Sequence, residues 1–423
     1  MEPAPANPDL RLQLDALVRR EHGRLIAQLL AWLGGSRLDL AEDMAQEALL
    51  TAMSVWPYRG MPDNPRAWLA RVARNRAIDR LRREHREVVY EEIPAPHGSD
   101  PDDQLFASRI SDPELRLMLL CCHPALTEFD RLALTLRVVS GFTAREIASV
   151  FLVTDSAMGQ RLARARRKLK ALGEAADEEP SVFGIRQRAD TLLKCVYLVF
   201  SLAYAPRSGE ELVRSEIAFE ALRLARELAQ HELTRSPQAQ ALTALLCFQA
   251  SRLNARQDEQ GTPILLRNQD RAHWDRGLIM EGFNHLAAAR AGQGVSRYHL
   301  EAGIASVHAA APSWEECDWD SILRQYEILQ AMTGSPVVII NACIARAMSG
   351  EAETALTQLD ELEGVPLLKN YSPYFIARAE VLSQLGRKSE AAASYGQAIK
   401  SGISQPVGRY LAEKIQLLEA SLA

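Results

Sequence analysis

Turn residues are scarce in this chain of 423 residues, which has 23 glycines and 20 prolines. That argues against a strand-rich fold, which needs a turn every few residues. Long apolar runs are missing as well. The longest, Leu192 to Ala205, contains Lys194 and suits a buried helix rather than a membrane span of ~20 residues. The start, MEPAPANPDL, has neither a basic segment nor an apolar core, so no secretory signal is expected. None of the six cysteines falls in C-x-x-C spacing. Cys121 and Cys122 are adjacent and cannot both ligate zinc with ordinary tetrahedral spacing, so all six are expected to be reduced core residues. There is no glycine-rich phosphate loop, no nucleophile motif and no metal spacing. No catalytic residue, cofactor or metal is therefore expected, and the chain is not expected to be an enzyme. A cytoplasmic location without a membrane partner is the expectation.

What remains is helix-forming. Apolar residues make up 47% and charged residues 24%, as in an ordinary globular protein. Alanine, leucine, arginine and glutamate dominate, so the fold class expected is all-α. At ~100–200 residues per domain, two or three domains are expected. The net charge of −5 hides an asymmetry. Residues 1–173 carry 25 basic and 23 acidic side chains, a net of +2, and the rest carry 24 and 31, a net of −7. Only the first part suits a polyanion.

The charge there is clustered in Gly141 to Lys170, GFTAREIASVFLVTDSAMGQRLARARRKLK. Thr143 and Glu146 form a T-x-x-E capping box. Ile147, Val150 and Phe151 follow as an apolar face, and Thr154 offers a second N-cap after a tight turn. Met158, Leu162, Ala165 and Leu169 make one buried stripe of a second helix. Arg161, Arg164, Arg166, Arg167, Lys168 and Lys170 lie beside it, with no acid between Ser156 and Leu172. Two short helices, the second basic, make the pattern of a helix-turn-helix that sets its second helix in a DNA major groove.

A second basic element precedes it. The helix Asn64 to Arg83, NPRAWLARVARNRAIDRLRR, has Pro65 in its first turn and can turn Trp68, Val72, Ile78 and Leu81 inward. Arg66, Arg71, Arg74, Arg76, Arg80, Arg82 and Arg83 then face out, with Asp79 the one acid among them. Arginine beside Trp68 and Asn75 suits phosphate contacts and an unstacked base. Residues 10–33 form an earlier helix ended by Gly34 and Gly35, and Asp39 to Trp56 form another. In that one Leu40, Met44, Ala48 and Val55 share a face, while Asp43 and Glu47 repel each other at i,i+4 with Glu42 and Gln46 alongside. A partner with basic groups would relieve that repulsion.

Residues 84–111, rich in proline and acid, read as a flexible acidic linker. Two apolar helices broken at Pro124 complete a small domain with the helix-turn-helix over 112–172, and residues 173–180 form a second, short linker. Residues 181–423 read as a helical domain. Within it Gly350, Ala355, Leu359 and Leu362 recur 36 residues later as Gly386, Ala391, Tyr395 and Ala398. That is near the ~34-residue period of tetratricopeptide repeats. Asp270, His273, Trp274 and Asp275, and then Asp318, Trp319 and Asp320, read as satisfied polar groups, with a ligand site as the alternative.

DLAEDMAQEALL followed by the arginine-rich helix resembles region 2 of an extracytoplasmic-function (ECF) sigma factor, and the helix-turn-helix resembles region 4. LLRNQDRAHWDRGLI, DWDSILRQYEIL and SPVVIINACIA resemble the C-terminal helical, tetratricopeptide-like extension of a large subgroup of these factors. The resemblance implies a region 2 bundle over 1–83, a region 4 domain over 112–172 and a TPR-like domain over 181–423. It implies core RNA polymerase and promoter DNA as partners, with contacts to the β′ clamp helices and the β flap. Asp39, Glu42, Asp43, Gln46 and Glu47 would meet the clamp helices. Trp68, Arg71, Arg74, Asn75, Arg76, Asp79 and Arg80 would serve −10 recognition and melting. Ser156, Ala157, Gln160, Arg161 and Arg164 would face the −35 element, with Arg167 and Lys168 near phosphate. Leu152 stands where the turn glycine is usual, and Gly159 where a longer side chain is common. A regulatory protein or small molecule would act at the C-terminal domain. A ligand-responsive helix-turn-helix repressor is the rival, but it leaves the arginine helix at 64–83 and the acidic helix before it without a task.

Overall fold

Alanine and leucine with few turn residues favour helices joined by short connections. The computed structural model is all-α across the residues it describes, which are 8–87, 113–151, 153–173, 182–204, 215–258, 262, 264–292, 294–403 and 405–420. Most of the acidic linker, the segment 174–180 and Leu152 lie outside the described residues. The chain forms two compact units, Met1–Phe200 with Glu216–Thr234, and Ser201–Ser215 with Arg235–Ala423.

In the first unit α1 (Pro8–Leu33), α2 (Leu38–Arg59) and α3 (Pro65–Glu87) pack on one another. Ile26, Met44, Ala48, Trp56 and Leu69 are buried in their core. On α3 the innermost positions are Leu69, Ala73 and Ala77, at a spacing of four, while Trp68, Val72, Ile78 and Leu81 are half-buried. Small alanines bring the helix axes closer than the larger residues would, so the stripe is rotated from the one expected. Next come α4 (Pro113–Cys121), α5 (Glu128–Val138), α6 (Ala144–Phe151) and α7 (Asp155–Ala171).

The core does not divide at 173–180. Helices α8 (Val182–Tyr204) and α9 (Ser215–Gln230) fall almost wholly in the first unit. Ile185, Leu192, Leu193 and Val196 of α8 are buried. Arg188 donates to the Leu119 carbonyl at 2.9 Å, Lys194 pairs with Glu128 at 2.5 Å, and the Cys195 and Cys122 sulfurs lie 3.9 Å apart. All six cysteines are buried and free of disulfides.

The second unit runs from α10 (Pro237–Ala250) through α11 (Arg276–Ala289), α12 (Arg297–Ala310) and α13 (Trp319–Thr333) to four helices in two hairpins. These are α14 (Pro336–Met348) with α15 (Ala352–Glu361), and α16 (Ser372–Gln384) with α17 (Lys388–Lys400). Helix α18 (Gln405–Ala420) follows. Gly350 and Gly386 make the two hairpin turns at φ +97° and +73°, a region that favours glycine. Ala355 and Ala391 are fully buried at equivalent places, as are Leu359 and, at 1% exposure, Tyr395. In the polar–aromatic clusters three aspartates act as helix caps, while the buried Trp274 Nε1 has no hydrogen-bond partner among the described residues. Asp270, Asp275 and Asp318 accept the amide hydrogens of Ala272, Leu278 and Ser321 at 2.9, 3.0 and 2.9 Å, capping a 3₁₀ turn at Arg271–His273 and the starts of α11 and α13. Arg271, between the first two, is buried and donates to the carbonyls of His308 and Ala311.

Candidate nucleic-acid interface

Two caps fix the entry and the turn of the helix-turn-helix. The Thr143 amide donates to the Glu146 carboxylate at 2.7 Å, and the Glu146 amide donates to the Thr143 hydroxyl at 3.2 Å. Thr154 then accepts the Ala157 amide hydrogen at 3.2 Å and starts α7. Met158, Leu162, Ala165 and Leu169 are the buried stripe, at the expected positions. That fixes the rotation of α7 and therefore which cations face outward. Ser156, Gln160, Arg164, Arg167 and Lys168 are exposed, and Ala157 and Arg161 are half-buried. The Arg161 guanidinium stacks over the Phe129 ring at 4.3 Å, so it braces α5. A Cβ at Gly159 would meet nothing within 4 Å, so the start of this face is open.

On α3 the side chains of Arg71, Arg74, Asn75, Arg76, Asp79 and Arg80 are all exposed. Trp68 lies edge-on to the buried Trp56, with centroids 5.2 Å apart. Arg74 sits 5.8 Å over Trp32, and Arg80 pairs with Glu84 at 3.2 Å. Arg76 reaches across to α2, donating to Glu47 at 2.9 Å and to the Thr51 hydroxyl at 3.2 Å. The arginine-rich face of α3 and the acidic face of α2 therefore meet along one edge.

On α2, Asp39, Asp43, Gln46 and Glu47 are exposed. Glu42 differs: its carboxylate receives Arg166 of α7 in a two-pronged pair at 2.7 and 2.8 Å. Asp39 lies 3.8 Å from the same guanidinium. Arg166 was expected to flank the buried stripe with the other cations. The overlooked signal is its spacing, four residues after Leu162 and three before Leu169, which turns it toward the protein interior.

Residues 18–87 match the family Sigma-70 region 2, residues 116–169 match Sigma-70, region 4, and residues 188–290 match a family of unknown function, DUF6596. The uncharacterized protein R00370 of Rhizobium meliloti (strain 1021) is 36% identical over 391 residues, covering 91% of this chain and 92% of that protein. The ECF RNA polymerase sigma factor SigM of Bacillus subtilis (strain 168) is 30% identical over 138 residues, covering 31% of this chain and 79% of that one. No solved structure matches. The acidic helix and the arginine helix lie in the first match and the capped helix-turn-helix in the second, and on these grounds the chain belongs to the sigma-70 family of sigma factors.

Proposed function

We propose that this sigma factor docks on core RNA polymerase through Asp39, Glu42, Asp43, Gln46 and Glu47. Helix α3 serves −10 recognition and strand opening through Trp68, Arg71, Arg74, Asn75, Arg76, Asp79 and Arg80. Helix α7 reads the −35 element with Ser156, Ala157, Gln160, Arg161 and Arg164, with Arg167 and Lys168 on phosphate. The observation that carries this most is the outward face of α7, where Arg164, Arg167 and Lys168 are exposed on a helix with no acid after Asp155. Neither reader needs high affinity alone, because polymerase holds both at high effective concentration. The second unit supplies a regulatory or protein-binding TPR-like surface. Its support is the pair of glycine-turned hairpins at a 36-residue period and the acidic balance of the C-terminal part.

Run-off transcription with core polymerase tests the division of labour. Arg161 also stacks on Phe129, so Arg164→Ala with Arg167→Ala is the cleaner pair. These changes should abolish −35-dependent initiation while polymerase binding persists. Each lost phosphate contact lowers the salt slope of DNA binding by about 0.9. Loss of both activities together, with the fold intact, would refute the assignment.

A further inference from the structure

Two thiols from distant parts of the sequence meet in the first unit. Cys122 follows the last residue of α4 and falls within the Sigma-70, region 4 match, whereas Cys195 belongs to α8 and falls within the DUF6596 match. Their sulfurs lie 3.9 Å apart and both residues are buried. A buried free cysteine is ordinarily a small apolar residue. This pair differs because it sits among cations. Arg188 donates to the Leu119 carbonyl, and its buried Nε has no hydrogen-bond partner among the described residues. Arg131 is spent on the carbonyls of His123, Pro124 and Leu126. Both guanidiniums are thus held by neutral groups and leave positive charge beside the sulfurs. The hydrogen bond from Cys195 and the charges of Arg131 and Arg188 hold the Cys122 thiol below its ordinary range, although burial acts against them. The bond to Cys122 and burial push the Cys195 thiol up. Cys122 is therefore the thiolate and Cys195 the protonated partner, the division that a nucleophile and a resolving thiol need.

We propose that Cys122 and Cys195 form an oxidant-sensitive dithiol, which a hydroperoxide converts to a disulfide that ties α8 to the end of α4. The Cys122 thiolate attacks one peroxide oxygen. An S–O bond forms, the O–O bond breaks, and the leaving hydroxide or alkoxide takes a proton from solvent. The Cys195 sulfur then attacks the sulfenic sulfur of Cys122. The S–S bond forms, the S–O bond breaks, and the Cys195 proton leaves with the hydroxyl as water. The two sulfurs lose two electrons and the peroxide gains them. One hydroperoxide thus yields one disulfide, one water and one alcohol, or two waters when the oxidant is hydrogen peroxide. The oxidant reaches Cys122 through the turn after α4, where Pro124 and Ala125 are exposed. Cys122 itself lies in that turn rather than in a helix, so it can close the sulfurs from 3.9 Å to the ~2.05 Å of a disulfide without unwinding α8. The bond joins residues 73 apart in sequence and constrains the unfolded chain accordingly. No residue assigned to promoter or polymerase takes part, so the inference stands apart from those assignments.

The full chain is treated with hydrogen peroxide, and its cysteines are mapped by differential alkylation and mass spectrometry. A Cys122–Cys195 disulfide should form, and dithiothreitol should reverse it. Cys195→Ser should halt the reaction at a Cys122 sulfenic acid that dimedone traps, and Cys122→Ser should leave Cys195 unreacted. Arg188→Gln should slow the oxidation about threefold at pH 7, because a thiolate fraction about tenfold smaller is offset in part by a more nucleophilic sulfur. In the oxidised wild-type chain the amides of α4, α5 and α8 should stay protected from exchange in urea that exposes them in the reduced chain. Cys247 and Cys343, buried in the second unit, are the controls. Oxidation of these controls as fast as Cys122 would mean that the reaction follows unfolding, and overturns the proposal. So does a bond between Cys121 and Cys122 in place of the expected one, a disulfide without added protection, or an unchanged rate in Arg188→Gln. Should Cys122→Ser and Cys195→Ser not fold, the mapping and the exchange on the wild-type chain decide the matter alone.

Discussion

Regions 2 and 4 are both small helical DNA readers, yet they are built differently. Region 2 closes a core from its own three helices, with Ile26, Met44, Trp56 and Leu69 buried among them. Region 4 shares its surroundings with α8 and α9, through Cys122 beside Cys195, Arg188 on the Leu119 carbonyl and Arg223 on Glu114. The segment that matches region 4 ends at residue 169, but the compact unit runs on to Thr234. A sequence family and a folding unit therefore need not share a boundary, because the first follows the DNA-reading surface and the second follows buried area.

The comparison is broken most severely by truncation. A cut after residue 175 removes the buried Ile185, Leu192, Leu193 and Val196 of α8, each worth about 1.5–3 kcal/mol of burial. Their sum rivals the ~5–15 kcal/mol that holds a whole domain. Hydrogen exchange should find region 4 amides unprotected in that fragment and region 2 amides still protected. A cut after Thr234 should protect both, and is the construction with which to ask whether the second unit inhibits or enables transcription. Equal protection of region 4 in the two fragments would erase the contrast.

A smaller effect comes from the seam between the two regions. Burial, aided by the charge of Arg137, holds His22 down to about 4. The unfolded chain takes up this proton near pH 6.5 and the folded chain only near 4, so stability present above pH 6.5 is lost as the pH falls through that window. The loss should be about 2 kcal/mol, and His22→Phe should flatten it in denaturant titrations at pH 7 and pH 5. A slope unchanged in the variant would assign the acid sensitivity elsewhere.

The smallest expected change in stability lies within region 2. The Arg76–Glu47 pair is nearly half exposed on both sides, so Arg76→Ala should cost less than about 0.5 kcal/mol. Strand opening, read by permanganate footprinting of the −10 element, should nevertheless drop sharply. A large stability loss would make Arg76 a structural residue.

The all-α class, the two caps of the helix-turn-helix and the buried stripe of α7 were legible because they depend on neighbours three or four residues apart. So were the hairpins around Gly350 and Gly386. The stripe of α3 was misread by one position, since alanine at 73 and 77 carries little hydrophobic signal although it permits the closest packing. The aspartates at 270, 275 and 318 read as satisfied polar groups and act as caps.

Local order along the chain therefore determined which helices form, where they start and which faces carry charge, because capping and amphipathic spacing act within one or two turns. Tertiary structure alone decided that Arg166 turns inward to Glu42, 124 residues away, that Gly23 makes room for Val139, and that α8 and α9 join the first unit. Those outcomes depend on which surfaces meet, and a charge or a glycine has no partner until the helices have packed.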